Sequence, residues 1–393
     1  MWFVYIILAI ISIYIIFMAY MKIRFHFWSI QPVFHIYNLF HWYTPFKIIK
    51  PELPEMNKYV NLIDISTKDV TEMSNTDITR FCNFIKSYYL HSKGSEYLPK
   101  KRHIMEYLYA SNHPSFISIY KSPSLLFAKD NCISYDEFYS VMSARVLHIS
   151  FKDQKTFPVY YVDNLCVHPS MRKKGIAPKS IQTLYYNLRR KNTKVKVFLF
   201  KREGEMTAIV PLCIYDTYGY DVQSLPHMEL MHASIKLIQI TSQNLHLAVE
   251  FMFNRSKLMT CMIVPEVTNI LNLMKSGNII LYALIENDSL ISLYFYRDAA
   301  ILYQDQKTME CIGSLSACPF EDIFLAGFFM SVRKSAKQFK TSKVLIENTS
   351  SNTIVNKYIS THNIIPFLKS PTGFFLYNYV SYTLPADKCF ILY

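Results

Sequence analysis

Apolar and polar positions divide the chain into an uncharged start and two later stretches in which strand and helix patterns alternate. Residues 1–21 carry no charged side chain, and Trp2-Phe3-Val4-Tyr5-Ile6-Ile7-Leu8 continues through Ile16-Phe17-Met18-Ala19-Tyr20. As a helix, this run spans roughly 30 Å at about 1.5 Å per residue, the thickness of a bilayer core. A cleaved signal has a basic start, a shorter apolar run and a small-x-small site. Here the start is uncharged and Met21-Lys22-Ile23-Arg24 follows, so a retained transmembrane anchor over 1–21 is expected. Lys22, Arg24, Lys47 and Lys50 put positive charge on its carboxyl side, which keeps the body in the cytoplasm.

Beyond the anchor, residues 22–60 are rich in aromatics and proline and read as an extended arm. Asp77 is placed to cap a helix through Phe81-Cys82-Phe84-Ile85. Strand patterns cover Ser115–Tyr120, Ser124–Phe127, Ser143–Phe151 and Pro158–Val167. Ile181, Leu184, Tyr185 and Leu188 then follow helical spacing, and Lys194–Phe200 alternates as a strand. In the second stretch, Ile279–Ile285, a turn at Asn287-Asp288 and Leu290–Phe295 predict a hairpin. A helix from Phe320 to Phe339 and a strand at Val344-Leu345-Ile346 follow. Each stretch runs strands, helix, strand. The pattern favours an α/β protein of two units with a boundary around 215–230.

Composition sharpens this picture. With 393 residues, 51% of them hydrophobic and 18% charged, the chain lacks the signature of disorder. Its 8 glycines are about 2% of the chain against a usual ~7%, so a glycine at a loop-to-helix junction is informative. The net charge of +13 points to acidic partners such as a phosphorylated cofactor or anionic lipid. No zinc finger, RNA-recognition signature or basic helix appears, so no nucleic acid is expected. The 8 cysteines are scattered without a Cys-x-x-Cys pair. That fits free thiols in a reducing compartment and no metal.

The stretch Val162-Asp163-Asn164-Leu165-Cys166-Val167-His168-Pro169-Ser170-Met171-Arg172-Lys173-Lys174-Gly175-Ile176-Ala177-Pro178 carries the chemistry. A strand ends, a basic loop follows, and an amphipathic helix begins at the glycine. Free N–H groups at such a helix start suit a pyrophosphate, Arg172, Lys173 and Lys174 add charge, and Gly175 lets the backbone approach. Taken alone, the loop is equally readable as a basic solvated turn. Its Arg-x-x-Gly-x-Ala pattern resembles the acyl-CoA loop of the GNAT acyltransferase superfamily.

Three motifs in order extend that resemblance over the soluble chain. Asn164-Leu165-Cys166-Val167-His168 resembles the Phe-Leu-Cys-Val-His strand end of N-myristoyltransferases. Phe25-His26-Phe27-Trp28-Ser29-Ile30-Gln31-Pro32-Val33 resembles their Tyr-Gln-Phe-Trp-x-Thr-Gln-Pro-Val arm, and Gly373-Phe374-Phe375-Leu376-Tyr377-Asn378-Tyr379 their Tyr-Tyr-Leu-Tyr-Asn-Trp strand. The resemblance implies a divergent homologue, of viral or cellular origin. Its fold would be two GNAT-like halves with pseudo-two-fold symmetry, a mixed central sheet flanked by helices, and an added transmembrane helix. Residues 22–220 would form the half that binds acyl-CoA, and 221–393 the half facing the peptide. The activity implied is transfer of a myristoyl group from myristoyl-CoA to the N-terminal glycine of substrate proteins, by a monomer. Alternatives are a GNAT enzyme with another acyl-CoA or amine, and an inactive structural homologue.

The same resemblance implies roles for individual residues. His26, Phe27 and Trp28 would contact the cofactor, with plain core packing as the other reading of Phe27 and Trp28. Backbone N–H groups of Asn164 and Leu165 would form an oxyanion hole, flanked by Cys166 and Val167 on the cofactor side. Lys173, Gly175, Ile176 and Ala177 would meet the phosphates. Cys166 reads as a buried bystander, because the family transfers directly from thioester to amine, and His168 as a positioning or surface histidine. The α-carboxylate of Tyr393 would be the general base, although a free α-carboxyl at about 3.5 is a weak base unless burial raises it. Departures from the family are Asn164 in place of phenylalanine, Gly175 in place of a phosphate-loop arginine, and Tyr89-Leu90-His91-Ser92-Lys93-Gly94 without the acidic residues of its peptide-greeting loop. A threonine near the family's catalytic centre falls among Phe198-Leu199-Phe200.

Overall fold

The hairpin read at Asn287-Asp288 forms as expected. Ile279–Glu286 and Ser289–Tyr303 pair antiparallel, and both turn residues take positive φ, 47° and 61°, the conformation a two-residue hairpin turn requires. The computed structural model describes residues 2–92, 94–128, 131–204, 208–230 and 234–393, with backbone alone for 91–92, 124–128 and 131–135. Lys93, within the loop compared above with the family's acidic one, lies outside the described residues.

The main strands in chain order are β1 Phe116–Ala128, β2 Asn131–Phe151, β3 Phe157–Val167, β4 Val197–Glu203, β5 Cys213–Asp221, β6 Ile235–Ile240, β7 Cys261–Val264, β8 Ile279–Glu286, β9 Ser289–Tyr303, β10 Gln306–Ser316, β11 Lys343–Glu347, β12 Leu368–Tyr377 and β13 Cys389–Ile391. The helices used below are α1 Trp2–Arg24, α2 Asn75–Tyr88, α3 Lys101–Leu108, α4 Ile176–Lys191, α5 Val267–Lys275 and α6 Glu321–Phe339. One mixed sheet runs in the order β6-β8-β9-β10-β11-β5-β12-β4-β3-β2-β7-β13.

Two copies of one unit are visible in that order. In the first, β2 pairs antiparallel with β3, α4 crosses, and β4 returns parallel to β3. In the second, β9 pairs antiparallel with β10, α6 crosses, and β11 returns parallel to β10. The units are joined by exchanged strands: β5, which follows β4 in the chain, pairs with β11, while the late strand β12 pairs with β4. Helices cover the sheet through apolar faces. Phe324, Phe328, Phe329 and Val332 of α6, for example, pack on Leu284, Tyr294 and Tyr296.

Local chemistry differs from the sequence reading in two places. Ser74, not Asp77, caps α2, its hydroxyl accepting the Asp77 N–H at 3.1 Å. The arm after the apolar run is not wholly extended, since α1 continues to Arg24 and short helices form at His26–Ser29 and Leu39–Tyr43. Tertiary contacts hold the short helices and the rest of the arm: Trp28 stacks on Phe200, and the Trp42 carbonyl accepts from the Tyr382 hydroxyl. Buried Arg189 donates to the carbonyls of Lys50, Pro51 and Glu52, and Asn378 exchanges hydrogen bonds with Lys50. Proline lacks a donor, so this segment, whose backbone pairing is limited to Lys47–Ile48 against Tyr379–Val380 and bridges at Val33 and His35, is held largely by side chains.

Gly327 sits where α6 crosses this hairpin. A Cβ there would lie 2.6 Å from both Leu284 Cδ1 and the Tyr294 hydroxyl, which itself donates to the Phe324 carbonyl at 2.7 Å. Alanine gains about 1 kcal/mol of helix propensity, but overpacking costs about 1–3 kcal/mol. Gly327→Ala should therefore lower the stability of the protein by about 1 kcal/mol, read as an earlier denaturant midpoint. A later midpoint would mean that the hairpin yields freely.

Candidate functional site

The candidate site begins with a register break. Val141 pairs with Cys166 and Ser143 with Asp163, so Asn164 and Leu165 together stand opposite Met142. Asn164 takes φ 57°, a left-handed conformation that asparagine tolerates better than most residues. Its side chain donates to Ser143 Oγ at 2.8 Å, and its backbone N–H donates to Asp163 Oδ1 at 2.7 Å. Beyond the break β3 leaves β4, since their parallel pairing covers only Val159–Val162 against Val197–Phe200.

Two cavities meet at this point. One, of about 220 Å³, is mainly apolar, walled by Trp28, Met142, Ile181, Leu184, Phe198 and Phe200. The other, of about 470 Å³, carries Arg145, Asp163, Lys201, Arg297, Glu310 and Tyr393. Asn164 and Leu165 line both.

The residues predicted for acyl-CoA occupy different positions around these cavities. Trp28 stacks on Phe200 at 5.8 Å between ring centroids and forms cavity wall. Phe27 packs edge-on against Trp28 and Tyr59, and His26 Nε2 lies 2.8 Å from Lys58 Nζ. Gly175 precedes α4 at φ 75°, with nothing within 4 Å of the place its Cβ would take. The loop before it is therefore open beside the N–H groups of Ile176 and Ala177. Lys173 is exposed there, whereas the Ile176 side chain is buried against Ile65 and Tyr120. Arg172 turns back, donating to the carbonyls of Val167 and Tyr88, so Lys173 and Lys174 are the loop's outward cations. The side chain of Cys166 is buried with Phe138, Val141 and α2, and burial pushes its thiol up to about 12. Val167 is half-buried, and His168 accepts the Ser170 N–H.

The arm and terminal motifs meet directly. Tyr377 donates its hydroxyl to Gln31 Oε1 at 2.5 Å, the Asn378 N–H donates to the Pro32 carbonyl, and Val33 bridges Tyr377. These contacts place Trp28 beside the first unit from a segment far away in sequence.

A buried ionic network floors the polar cavity, and the sequence reading missed most of it. Lys201 Nζ lies 2.8 Å from Glu347 and 3.9 Å from Glu310, and Arg297 lies 2.6 Å from Glu310. The Tyr393 hydroxyl contacts Glu347, Lys201 and Arg297, while its main-chain oxygen accepts from Arg297 at 3.2 Å. Tyr215 donates to Glu347 at 3.0 Å. Burial raises the Glu347 carboxyl to about 7 although Lys201 pulls it down. Burial also opposes ionisation of Glu310, but Arg297 and Lys201 outweigh it and hold that group at about 2. The available signal was a carboxylate inside an apolar strand, as in Val344-Leu345-Ile346-Glu347. Among the described residues, His113, His148 and Glu266 bring possible metal-ligand atoms within 4.8 Å of one another, but none lines either cavity.

Removing Lys201 would leave Glu347 buried without its closest cation. Lys201→Met should cost about 3–5 kcal/mol of stability. The sign with pH follows from the raised carboxyl: a proton held in the fold and released on unfolding stabilises at low pH and is lost as pH rises through the folded value. Without Lys201 that value rises further, so the variant should lose up to about 1.4 kcal/mol per pH unit from pH 6 to 8. Denaturant titrations across that range measure it, and a flat profile would show that Glu347 finds another cation.

No protein-family model and no curated protein sequence matches the chain. Solved structures do match it. Two structures of Saccharomyces cerevisiae N-myristoyltransferase with bound myristoyl-CoA superpose at a TM-score of 0.72 with 11% and 12% identity, covering 94% of this chain and 99% and 93% of theirs. A third, with myristoyl-CoA and inhibitors, superposes at 0.68 with 13% identity over 92% of each chain. The repeated strand–helix–strand units, the exchanged strands and the break at Asn164 therefore belong to a chain with the N-myristoyltransferase fold.

Proposed function

We propose that the protein is an N-acyltransferase that moves a long-chain, myristoyl-type acyl group from acyl-CoA to the N-terminal glycine amine of a protein. We further propose that α1 anchors it in a membrane with its body on the cytoplasmic side. The observation that carries the reading is the meeting of an apolar and a charged cavity at Asn164 and Leu165. The apolar space suits an acyl chain, and the polar side suits an incoming ammonium. Acetyl transfer would leave the space walled by Trp28 and Phe200 without a use.

In this reading the pyrophosphate lies at the start of α4, held by the N–H groups of Ile176 and Ala177 and by Lys173. The thioester carbonyl points at the backbone of Asn164 and Leu165, where the Leu165 N–H stabilises the developing oxyanion and the Asn164 N–H joins it on release from Asp163 Oδ1. The glycine ammonium first gives a proton to the α-carboxylate of Tyr393. The free amine attacks the carbonyl carbon, the C–N bond forms and the C–S bond breaks; the nitrogen's second proton goes to the leaving coenzyme thiolate, and the Tyr393 carboxyl returns its proton to solvent. Arg297 donates to the Tyr393 main-chain oxygen at 3.2 Å and holds the terminal carboxylate in place to receive the ammonium. Cys166 faces the core and takes no part.

Two measurements test this. Gly175→Glu places a carboxylate where the phosphates approach and should weaken myristoyl-CoA binding at least about tenfold, or 1.4 kcal/mol, by calorimetry. Gly175→Ala strains the positive φ at a cost of about 1 kcal/mol in stability, yet leaves affinity nearly unchanged because the space is open. Unchanged affinity in the glutamate variant removes the acyl-CoA assignment, and tighter binding of acetyl-CoA than myristoyl-CoA removes the long-chain reading.

A short carboxyl-terminal tag should eliminate transfer while myristoyl-CoA binding survives, because it carries the carboxylate away from the cleft. Full turnover in the tagged protein would exclude the terminal carboxylate as base.

A further inference from the structure

The way α1 leaves the body constrains how deep the body can sit. The whole helix, 23 residues, is about 35 Å long at 1.5 Å per residue. Its last part does not project freely. Tyr14 donates to the Tyr37 carbonyl at 2.6 Å, and Tyr14, Met18 and Met21 pack with Phe25, Tyr37 and Ala208. Only residues 2–13 stand clear, a length of about 18 Å at that rise. A bilayer core is about 30 Å thick. A helix that spans it must therefore draw the neighbouring body surface roughly 10 Å into the interface.

That neighbouring surface has the chemistry such a position demands. The segment following Tyr37 exposes Leu39 (56%), Phe40 (64%) and Tyr43 (85%), with Trp42 partly exposed. Trp42 already has partners for its polar groups: its indole donates to the Ile36 carbonyl at 3.1 Å, and the Tyr382 hydroxyl donates to its carbonyl at 2.6 Å. Lys47 sits over the Phe40 ring at 4.3 Å, with its ammonium at the edge of the patch. Aromatic rings on the apolar side and a lysine at the rim match the headgroup boundary of a bilayer, where such surfaces immerse by about 5–10 Å. That depth covers most of the shortfall in helix length, and local bilayer thinning takes up the rest.

We propose that Ile36–Tyr43 is a membrane-interface collar, with Leu39, Phe40 and Tyr43 immersed at the headgroup–acyl boundary of the bilayer that holds α1. The proposal rests on the anchoring role given to α1 above. It adds that the body lies against the lipid surface rather than hanging from a free stalk.

The chain has 3 tryptophans, Trp2, Trp28 and Trp42, so depth can be read one residue at a time. Full-length W28F/W42F, with Trp2 alone, reports insertion of the helix. Full-length W2F/W28F, with Trp42 alone, reports the collar. Both go into vesicles of phosphatidylcholine and phosphatidylserine carrying bromine near the headgroup end or the methyl end of the acyl chain. The expected result is quenching of Trp2, and quenching of Trp42 that is stronger with bromine near the headgroup. Adding Leu39→Glu, Phe40→Glu and Tyr43→Glu to the second variant should abolish its quenching. Trp2 quenched and Trp42 unquenched would overturn the collar and leave the anchor standing. Neither quenched would overturn the anchor as well. Trp42 shielded from lipid together with a cross-linked dimer would assign the face to a second copy and overturn the lipid assignment.

Discussion

The meeting of the two cavities depends on one mismatch of register, two residues of β3 facing one residue of β2. A strand that gains a residue bends and twists away from its partner's ladder. Here the bend falls where β3 must also leave β4, and the opening between them becomes a cavity. The break points Asn164 and Leu165 into that opening and sends the Cys166 side chain into the core. A chain that kept its register would pair these backbone groups with β2 and close the space.

The second constraint is that distant segments are pinned by polar contacts. Gln31, Pro32 and Lys50 are held by Tyr377, Asn378 and Arg189. With β12 lying between β4 and β5, neither unit is complete without strands or arms contributed from elsewhere in the chain. Such non-local closure costs loop entropy before it returns contact energy. Buried side chains that satisfy several carbonyls at once recover part of that cost.

The division into an apolar and a charged cavity suits a reaction that joins a lipid donor to a charged acceptor. Around the charged side, two cations and two carboxylates lie close together with their side chains largely out of solvent. Paired charges at such a site hold a fixed field, while any one of them alone would shift its protonation instead. The same field surrounds Tyr393, whose ring packs against Phe374 and under Arg297.

By itself the sequence determined the apolar helix, the Asn287-Asp288 hairpin, the strand–helix–strand order of both units and the open glycine loop before α4. Each depends on the spacing of a few neighbouring residues or on one turn conformation, so short-range physics suffices. The same physics misplaced the α2 cap by three positions, because Ser74 and Asp77 are both good capping residues and only the packed helix chooses between them. It also turned too much of the arm into extended chain, since its short helices are stabilised by contacts outside the segment. The strand exchange, the register break and the network of Lys201, Arg297, Glu310, Glu347 and Tyr393 were decided by tertiary structure alone. Those five residues come from four strands and the chain's last position. What brings them together is the order of strands in the sheet, which no local pattern encodes, and a charge in an apolar strand signals burial without naming its partner.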